Sequence, residues 1–166
     1  TGAGSGFGEG IARTFAREGA SVVVNDLDEE RGRRVADSIS SAREGAAMFF
    51  KADVTDDASM DAAFAELERE FGTIDFVVHS VAFANKDELK GSFVDNTTRE
   101  GFLRAMNISA FSFVDVARRS AKLMPNGGSL VTMTYLGSER AIPNYNTMGV
   151  AKAGLEAATR DRKSVV

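Results

Sequence analysis

The chain has 166 residues, 43% hydrophobic and 27% charged, an ordinary globular composition that excludes a disordered chain. Its net charge is −4, and it contains no cysteine and one histidine. These counts exclude a disulfide scaffold, a thiolate metal site and a strongly basic nucleic-acid surface. No apolar run approaches the roughly 18 residues of a membrane span. We therefore expect one cytoplasmic domain, residues 1–166, that binds neither nucleic acid nor membrane.

Short apolar runs alternate with helical patterns along the chain. The runs are typical of strands buried on both faces and cover residues 21–25, 47–50, 75–80 and 129–133. Helical spacing of apolar residues appears through Ile11 and Phe15 up to Gly19, and then in residues 28–39, 58–71, 102–124 and 144–160. Residues 84–96 are predicted to be irregular. The alternation predicts an α/β fold, a Rossmann-like doubly wound parallel sheet with helices on both faces.

The chain opens on a glycine-rich turn that leads directly into a helix, Thr1-Gly2-Ala3-Gly4-Ser5-Gly6-Phe7-Gly8. Such a turn brings backbone amides and a helix N-terminus close to a pyrophosphate. We expect Gly2 to supply an unusual φ, and Gly6 and Gly8 to clear space for the phosphates. A flexible loop is the alternative explanation for the glycines alone. The turn predicts cofactor contacts from Gly2, Ser5, Gly6, Phe7 and Gly8.

Two acidic residues follow the first two strands. Asp26 ends the first strand, where a carboxylate accepts hydrogen bonds from adenosine ribose hydroxyls and repels a 2′-phosphate. Asp26 therefore predicts NAD(H) rather than NADP(H), with a solvated strand-end aspartate as the alternative. Asp53 and Val54 end the second strand and are predicted to contact the adenine. A turn role is the alternative for Asp53.

Tyr145 and Lys152 lie seven residues apart in a helical pattern, so we predict that they share one helix face. A cation near a phenol lowers the phenol's pKa. A tyrosine in that position can stabilise an oxyanion or pass a proton while a nicotinamide exchanges hydride, and the lysine can hold the cofactor's ribose. Such a pair is commonplace on its own. Together with the glycine-rich turn it predicts an oxidoreductase site.

The turn at residues 1–8 and Tyr-x₆-Lys at residues 145–152 resemble the short-chain dehydrogenase/reductase superfamily. Residues 71–160 more specifically resemble the NADH-dependent enoyl-acyl-carrier-protein reductases of bacterial fatty acid synthesis. This resemblance is carried by Asp75-Phe-Val-Val-His-Ser-Val-Ala-Phe-Ala-Asn85, Met124-Pro-Asn-Gly-Gly-Ser129 and Thr134-Tyr-Leu-Gly-Ser-Glu-Arg-Ala-Ile-Pro-Asn-Tyr-Asn-Thr-Met-Gly-Val-Ala-Lys152. Residues 1–65 resemble ordinary superfamily members, because these enoyl reductases usually have a less glycine-rich turn. A chimeric chain is one interpretation.

The resemblance implies a role for each matching catalytic residue. Tyr145 matches the tyrosine that hydrogen-bonds the thioester carbonyl and stabilises the enolate. Lys152 matches the lysine that holds the nicotinamide ribose, and Tyr135 matches a second active-site tyrosine. Asn107 matches the asparagine of the superfamily's Asn-Ser-Tyr-Lys set. Thr132 stands where the serine of that set would fall, which disfavours ordinary carbonyl reduction.

The resemblance also places Ser80 and Ala82 along the bound cofactor, whereas His79 is expected to be structural. The superfamily sheet has strand order 3-2-1-4-5-6-7, so this chain is expected to lack the first strand and the last two strands.

The function implied is NADH-dependent reduction of the trans-2 double bond of enoyl-acyl-carrier-protein thioesters by a homo-oligomer, with the helix at 102–124 and the Tyr145 helix in its interface. The alternatives are an ordinary short-chain reductase of 3-oxoacyl thioesters or other ketones and alcohols, and an inactive nucleotide-binding fragment.

Overall fold

The computed structural model describes residues 1–161 and gives the following helices and strands. The helices are α1 (Gly6–Arg17), α2 (Glu29–Ala42), α3 (Asp57–Phe71), α4 (Phe93–Asn96), α5 (Arg99–Met106), α6 (Ser112–Ala121) and α7 (Asn146–Asp161). The strands are β1 (Val22–Asp26), β2 (Ala47–Lys51), β3 (Phe76–His79) and β4 (Ser129–Thr132). The chain divides into two compact units. The first comprises residues 1–80 and 123–131, and the second comprises residues 81–122 and 132–161.

The first unit contains the predicted βαβ arrangement. β1 and β2 pair in parallel, with Val22 opposite Ala47 and Asp26 opposite Lys51, and α2 connects them. Val24 and Val35 are fully buried, and Ile39 packs with them in the core under the sheet. Asp28 begins α2 because its carboxylate accepts a hydrogen bond from the Arg31 amide at 3.0 Å. The predicted alternation of strands and amphipathic helices is confirmed here, but β1 and β2 are mostly half-buried, with Val24 and Phe50 as their buried residues.

Residues 1–3 hydrogen-bond to both strand pairs of the first unit. The Ala3 amide donates to the Asn25 carbonyl of β1 at 3.1 Å. On the other side, the Thr1 nitrogen donates to the Val78 carbonyl of β3 at 2.9 Å, and the Ser80 amide donates to the Thr1 carbonyl at 3.1 Å. β3 is hydrogen-bonded in turn to β4. Residues 1–3 therefore occupy the position that the predicted strand order gives to the end of the first strand.

The second unit is built around α7. Ala151 and Leu155 of α7 are fully buried, and α7 packs against α5 and the turn that follows it. That turn, Asn107–Phe111, is π-helical, so the single helix predicted for residues 102–124 is instead two helices, α5 and α6, joined by a wider turn. Thr98 begins α5 because its hydroxyl accepts a hydrogen bond from the Gly101 amide at 3.0 Å.

Two further predictions about local structure need correction. Residues 84–96 are not irregular throughout, since they contain a 3₁₀ turn at Lys86–Leu89 and the short helix α4. The buried stripe of α1 consists of its small residues, Gly8, Ala12 and Ala16. Phe15 is 39% exposed and contacts the Phe76 ring at 4.6 Å between centroids.

Among residues 1–161, the helices are too short or too polar to cross a membrane.

Candidate active site

The glycine-rich turn packs tightly against the start of α1. Gly2 has φ +69° and Gly6 has φ +58°, which are left-handed conformations that favour glycine. A Cβ added to Gly8 would lie 2.0 Å from the Gly2 carbonyl oxygen and 2.6 Å from Ser80 Oγ. Ser80 Oγ donates to the carbonyls of Thr1 and Gly2 at 2.8 and 3.2 Å. The unusual φ of Gly2 is confirmed. Gly8 packs on the Gly2 backbone, whereas a Cβ on Gly6 would meet open space, and the space that both glycines leave for phosphates stays a prediction.

The start of α1 presents the groups that an anion would contact. The first amides of a helix have no intrahelical partner, and they face outwards along the helix axis. Ser5 is exposed at the N-cap, where its side chain makes no capping hydrogen bond, and Phe7 is 78% exposed. Backbone amides and an exposed aromatic ring therefore lie together at this end of the first unit. Contact with a cofactor stays a prediction for Gly2, Ser5, Gly6, Phe7 and Gly8.

Asp26 lies at the end of β1 and is bound to the glycine-rich turn. Its carboxylate accepts hydrogen bonds from the Gly4 amide at 2.8 Å and from the Asp28 amide at 3.0 Å. A carboxylate has about four acceptor sites, so about two remain for ribose hydroxyls. Asp53 accepts hydrogen bonds from the Thr55 amide and hydroxyl at 2.9 and 2.7 Å, which favours the turn role. The adenine contact of Asp53 and of Val54 stays a prediction.

Tyr145 lies immediately before α7 rather than inside it, so the predicted shared helix face is wrong in this detail. The helix begins at Asn146, and the Gly149 amide donates to the Tyr145 carbonyl at 3.2 Å. Both neighbours have positive φ, +60° at Asn144 and +21° at Asn146. Backbone strain of this kind persists only where surrounding contacts hold it. Asn146 Nδ2 supplies such a contact by donating to the Glu88 carbonyl at 3.0 Å.

The electrostatics of the Tyr–Lys pair also differ from the prediction. Lys152 is buried in α7, and its Nζ donates to the Met133 carbonyl at 2.7 Å. Burial lowers the pKa of Lys152. Burial raises the pKa of Tyr145, and the neighbouring Tyr135 raises it further. The predicted lowering of the Tyr145 pKa is therefore wrong, because burial and the neighbouring phenol both raise it, whereas the Lys152 ammonium is bound to the Met133 carbonyl.

The two tyrosines of the chain form a ring pair in the second unit. The centroids of Tyr135 and Tyr145 are 4.8 Å apart, and the ring planes are inclined by 60°. A Cβ added to Gly137 would lie 2.2 Å from Cδ1 of Tyr145, so the Tyr145 ring lies directly on the Gly137 backbone. The structure thus brings Tyr135 and Tyr145 together, as the predicted catalytic set requires.

Asn107 opens the π-helical turn and is exposed to solvent. π-helical turns occur frequently at functional sites. Two residues further on, the buried Ser109 Oγ accepts a hydrogen bond from the Phe83 amide at 2.9 Å and donates to the Phe83 carbonyl at 3.1 Å. Ser109 was not predicted as a functional residue, since no local sequence pattern indicates a buried serine that binds a distant loop. Thr132 ends β4 and is half-buried.

An open cleft in the second unit is lined by Ala82, residues 83–89, Asn96 and Thr98. Ala82 was predicted to lie along the cofactor, and the remaining lining residues were not predicted. The Arg104 guanidinium lies 4.8 Å from the centroid of the Phe83 ring at this cleft.

In the first unit, His79 is fully buried, as expected for a structural histidine. Within residues 1–161, no three His, Cys, Asp or Glu residues are grouped so as to hold a metal ion.

Relatives of the chain are enoyl-acyl-carrier-protein reductases. It is 46% identical over 151 residues to the NADH-dependent FabI of Bacillus cereus, a match that covers 91% of this chain and 59% of the relative. It is 44% identical over 151 residues to FabI of Escherichia coli, covering 91% of this chain and 57% of the relative. The chain thus spans somewhat more than half the length of these curated relatives.

Solved structures agree with these sequence matches. The enoyl-acyl-carrier-protein reductase of Anaplasma phagocytophilum, in complex with NAD, has a TM-score of 0.85 and 40% identity, over 95% of this chain and 60% of that one. The Bacillus cereus enzyme with NADP⁺ and indole naphthyridinone has a TM-score of 0.86 and 44% identity, over 93% of this chain and 62% of that one. The family model described as enoyl-(acyl carrier protein) reductase matches residues 2–162. Since that match includes both the glycine-rich turn and the Tyr–Lys segment, the chain belongs to the enoyl-(acyl carrier protein) reductase family.

Proposed function

We propose that this protein reduces the trans-2 double bond of enoyl-acyl-carrier-protein thioesters with NADH, in fatty acid biosynthesis in the cytoplasm. The observation that carries the proposal is the Tyr135–Tyr145 ring pair, with centroids 4.8 Å apart, next to the α7 that bears the buried Lys152. Its sequence relatives are named as NADH-dependent enoyl-acyl-carrier-protein reductases, which supports the same activity.

The residues of the first unit fit a dinucleotide. The close packing of Gly8 on the Gly2 backbone leaves no room for a side chain at that point, which keeps the glycine-rich turn tight against the start of α1. Asp26 keeps acceptor capacity for ribose hydroxyls, and its charge would repel a 2′-phosphate. NADH, when bound, supplies the hydride that is transferred to C3 of the enoyl thioester. We assign its pyrophosphate to the glycine-rich turn and its nicotinamide ribose to Lys152.

The chain's own residues stabilise the charge that develops on the substrate. A phenol whose pKa is raised stays protonated at neutral pH, so Tyr145 donates a hydrogen bond to the thioester carbonyl and to the enolate oxygen that it becomes. Lys152 is held in place by the Met133 carbonyl, at the end of the segment that carries Tyr135. Tyr135 covers one side of the Tyr145 ring.

NADH oxidation with a crotonyl thioester tests this proposal. We expect Tyr145→Phe to lower kcat/KM by about 10²–10³-fold, the usual effect of removing one oxyanion donor. The matched control is Glu139→Gln, an exposed residue of the second unit, which should leave kcat/KM unchanged. If Tyr145→Phe retained full kcat/KM, the assignment of Tyr145 would fail.

The same assay separates the two alternative functions. Turnover of a 3-oxoacyl thioester without enoyl turnover would indicate an ordinary short-chain reductase, an alternative that the glycine-rich turn and Asp26 favour and Thr132 disfavours. NADH binding with turnover of neither substrate would indicate a nucleotide-binding chain without catalysis.

We propose a homo-oligomer as the state in solution, and a single domain as the organisation of the chain. Apolar side chains are exposed on α5, the π-helical turn, α6 and α7, where a second copy would cover them: Leu103, Phe111, Val114 and Val150. One family model matches residues 2–162 as a single segment, which supports one domain. Analytical ultracentrifugation tests the oligomer, and a purely monomeric species at micromolar concentration would contradict it.

A further inference from the structure

Glu156 binds both sides of the segment that carries Tyr135. It lies on α7 one turn after Lys152, and its Oε1 accepts hydrogen bonds from Thr134 Oγ1 and Ser138 Oγ, each at 2.5 Å. The hydrogen bonds from Ser138 and Thr134 lower the pKa of Glu156, so it is an ionised acceptor at neutral pH. One carboxylate oxygen thus holds two hydroxyls that flank Tyr135 in the sequence.

α7 contacts the same segment at two further points. Lys152 Nζ donates to the Met133 carbonyl at 2.7 Å, directly before Thr134. A Cβ added to Gly149 would lie 2.7 Å from the Gly137 carbonyl oxygen, so the two backbones are in close contact. The segment 133–138 is therefore held by α7 on both sides of Tyr135, and the Tyr145 ring rests on Gly137 within this arrangement.

From this geometry we propose that Glu156 is a positioning residue that holds Tyr135 against Tyr145. Without the carboxylate, neither hydroxyl would keep its partner on α7. The contacts at Met133 and Gly137 would remain, but the residues on either side of Tyr135 would be held less firmly, so the Tyr135 ring could shift. The Tyr145 ring would change surroundings in consequence, because its neighbour lies at 4.8 Å. The functional importance of this contact rests on the proposed function, whereas the contact itself is measurable without turnover.

The composition of the chain provides a direct readout. It has two tyrosines and no tryptophan, so incorporation of 3-fluorotyrosine gives two ¹⁹F NMR signals, which Tyr135→Phe assigns. We expect Glu156→Ala to move both signals, with that of Tyr135 approaching the position of the free amino acid. Glu156→Gln keeps an acceptor oxygen and should give signals nearer to those of the unsubstituted protein. The matched control is Glu139→Gln, directly after this segment, which should leave both signals in place.

A second variant approaches the contact from its other end. Thr134→Val with Ser138→Ala removes both donors and keeps Glu156, so it should move the same two signals. If Glu156→Ala fails to fold, this double variant tests the positioning role of Glu156 instead. Unchanged signals in a folded Glu156→Ala protein, or in the folded double variant, would overturn the inference.

Enoyl turnover, measured in parallel, separates this inference from the proposed function. In the Glu156→Ala protein we expect kcat to fall several-fold, with little change in KM for NADH, because the tyrosines and not the dinucleotide are displaced. If the unsubstituted protein shows no enoyl turnover but Glu156→Ala still moves the two signals, the proposed function fails and Glu156 remains a positioning residue. If the Glu156→Ala protein has unchanged signals and normal enoyl turnover, only the positioning role of Glu156 fails.

Discussion

The glycine-rich turn can be tested by adding one methyl group, in Gly8→Ala. The new Cβ would lie 2.0 Å from the Gly2 carbonyl oxygen, so one of the two backbones must move by more than about 1 Å to reach ordinary contact. Neither backbone moves freely. Gly2 is held at φ +69° and accepts a hydrogen bond from Ser80 Oγ, and Gly8 is buried in the first turn of α1.

The size of the effect follows from a matched pair. Gly10 lies two residues further along α1, is exposed, and has no heavy atom within 4 Å of an added Cβ. Gly10→Ala should therefore stabilise the protein by about 0.5–1 kcal/mol, the usual gain from alanine in a helix. Gly8→Ala has the same gain but adds overpacking of about 1–3 kcal/mol. The difference between the two variants isolates the overpacking, since the helix-propensity contribution is common to both.

Urea unfolding followed by circular dichroism measures that difference, and an NADH fluorescence titration measures the consequence for binding. We expect Gly8→Ala to be less stable than Gly10→Ala by about 1–3 kcal/mol. We expect its Kd for NADH to rise at least tenfold, while Gly10→Ala binds as the unsubstituted protein does. Equal stability and equal NADH affinity of the two variants would refute both the close packing of the turn and its assignment to the pyrophosphate.

Three further predictions concern Tyr145, a buried ion pair and cofactor choice. Gly137→Ala should displace the Tyr145 ring, which would lie 2.2 Å from the new Cβ, and should lower kcat in the enoyl assay more than it raises KM for NADH. Asp115→Asn should cost about 1.5–3 kcal/mol in urea unfolding at pH 7, the usual contribution of a hydrogen bond to a charged group, because it removes the ion pair at 2.7 Å between Asp115 and the buried Arg119. Burial is the largest single influence on Asp115 and opposes its ionisation, but the hydrogen bonds and charges of Arg119 and Arg118 together outweigh it and lower the pKa. The contribution of Asp115 is thus complete above the ordinary carboxyl pKa of about 3.9 and is lost as the pH falls through its lower folded value, so acid unfolding should be less steep in Asp115→Asn. Asp26→Asn keeps an acceptor for the Gly4 amide and removes the charge, so the ratio of NADPH to NADH affinity should rise at least tenfold in parallel titrations.

The elements that the sequence predicts correctly are those with local causes. The four apolar runs become β1 to β4 within one or two residues of their predicted limits, because buried strands need continuous apolar side chains. α2 begins where Asp28 can cap it, and Val35 and Ile39, which are four residues apart in the predicted helix and so share one face, are buried. The positive φ of Gly2 was predictable for the same reason, since only glycine adopts it without strain.

The features that the sequence analysis missed depend on contacts between distant segments. The π-helical turn at Asn107 has no glycine or proline to mark it, and it coincides with the binding of Ser109 to Phe83. α7 begins after Tyr145 because Asn146 is held by the Glu88 carbonyl, 58 residues away in the sequence. Helical periodicity carries no information about such a contact, so the helix predicted from it includes the tyrosine.

The corrected pKa of Tyr145 bears directly on which reaction the site suits. A tyrosine that oxidises alcohols acts as a general base, which requires a pKa lowered towards the working pH. A tyrosine that stabilises an enolate acts as a hydrogen-bond donor, and it does so best when it keeps its proton. Burial raises the pKa of Tyr145, and Lys152 directs its ammonium at the Met133 carbonyl. The surroundings of Tyr145 in the second unit therefore favour donation to an oxyanion over proton abstraction, so they suit reduction of a substrate rather than oxidation of an alcohol. The choice between an enoyl thioester and an ordinary carbonyl depends on other residues, among which Thr132 disfavours the carbonyl.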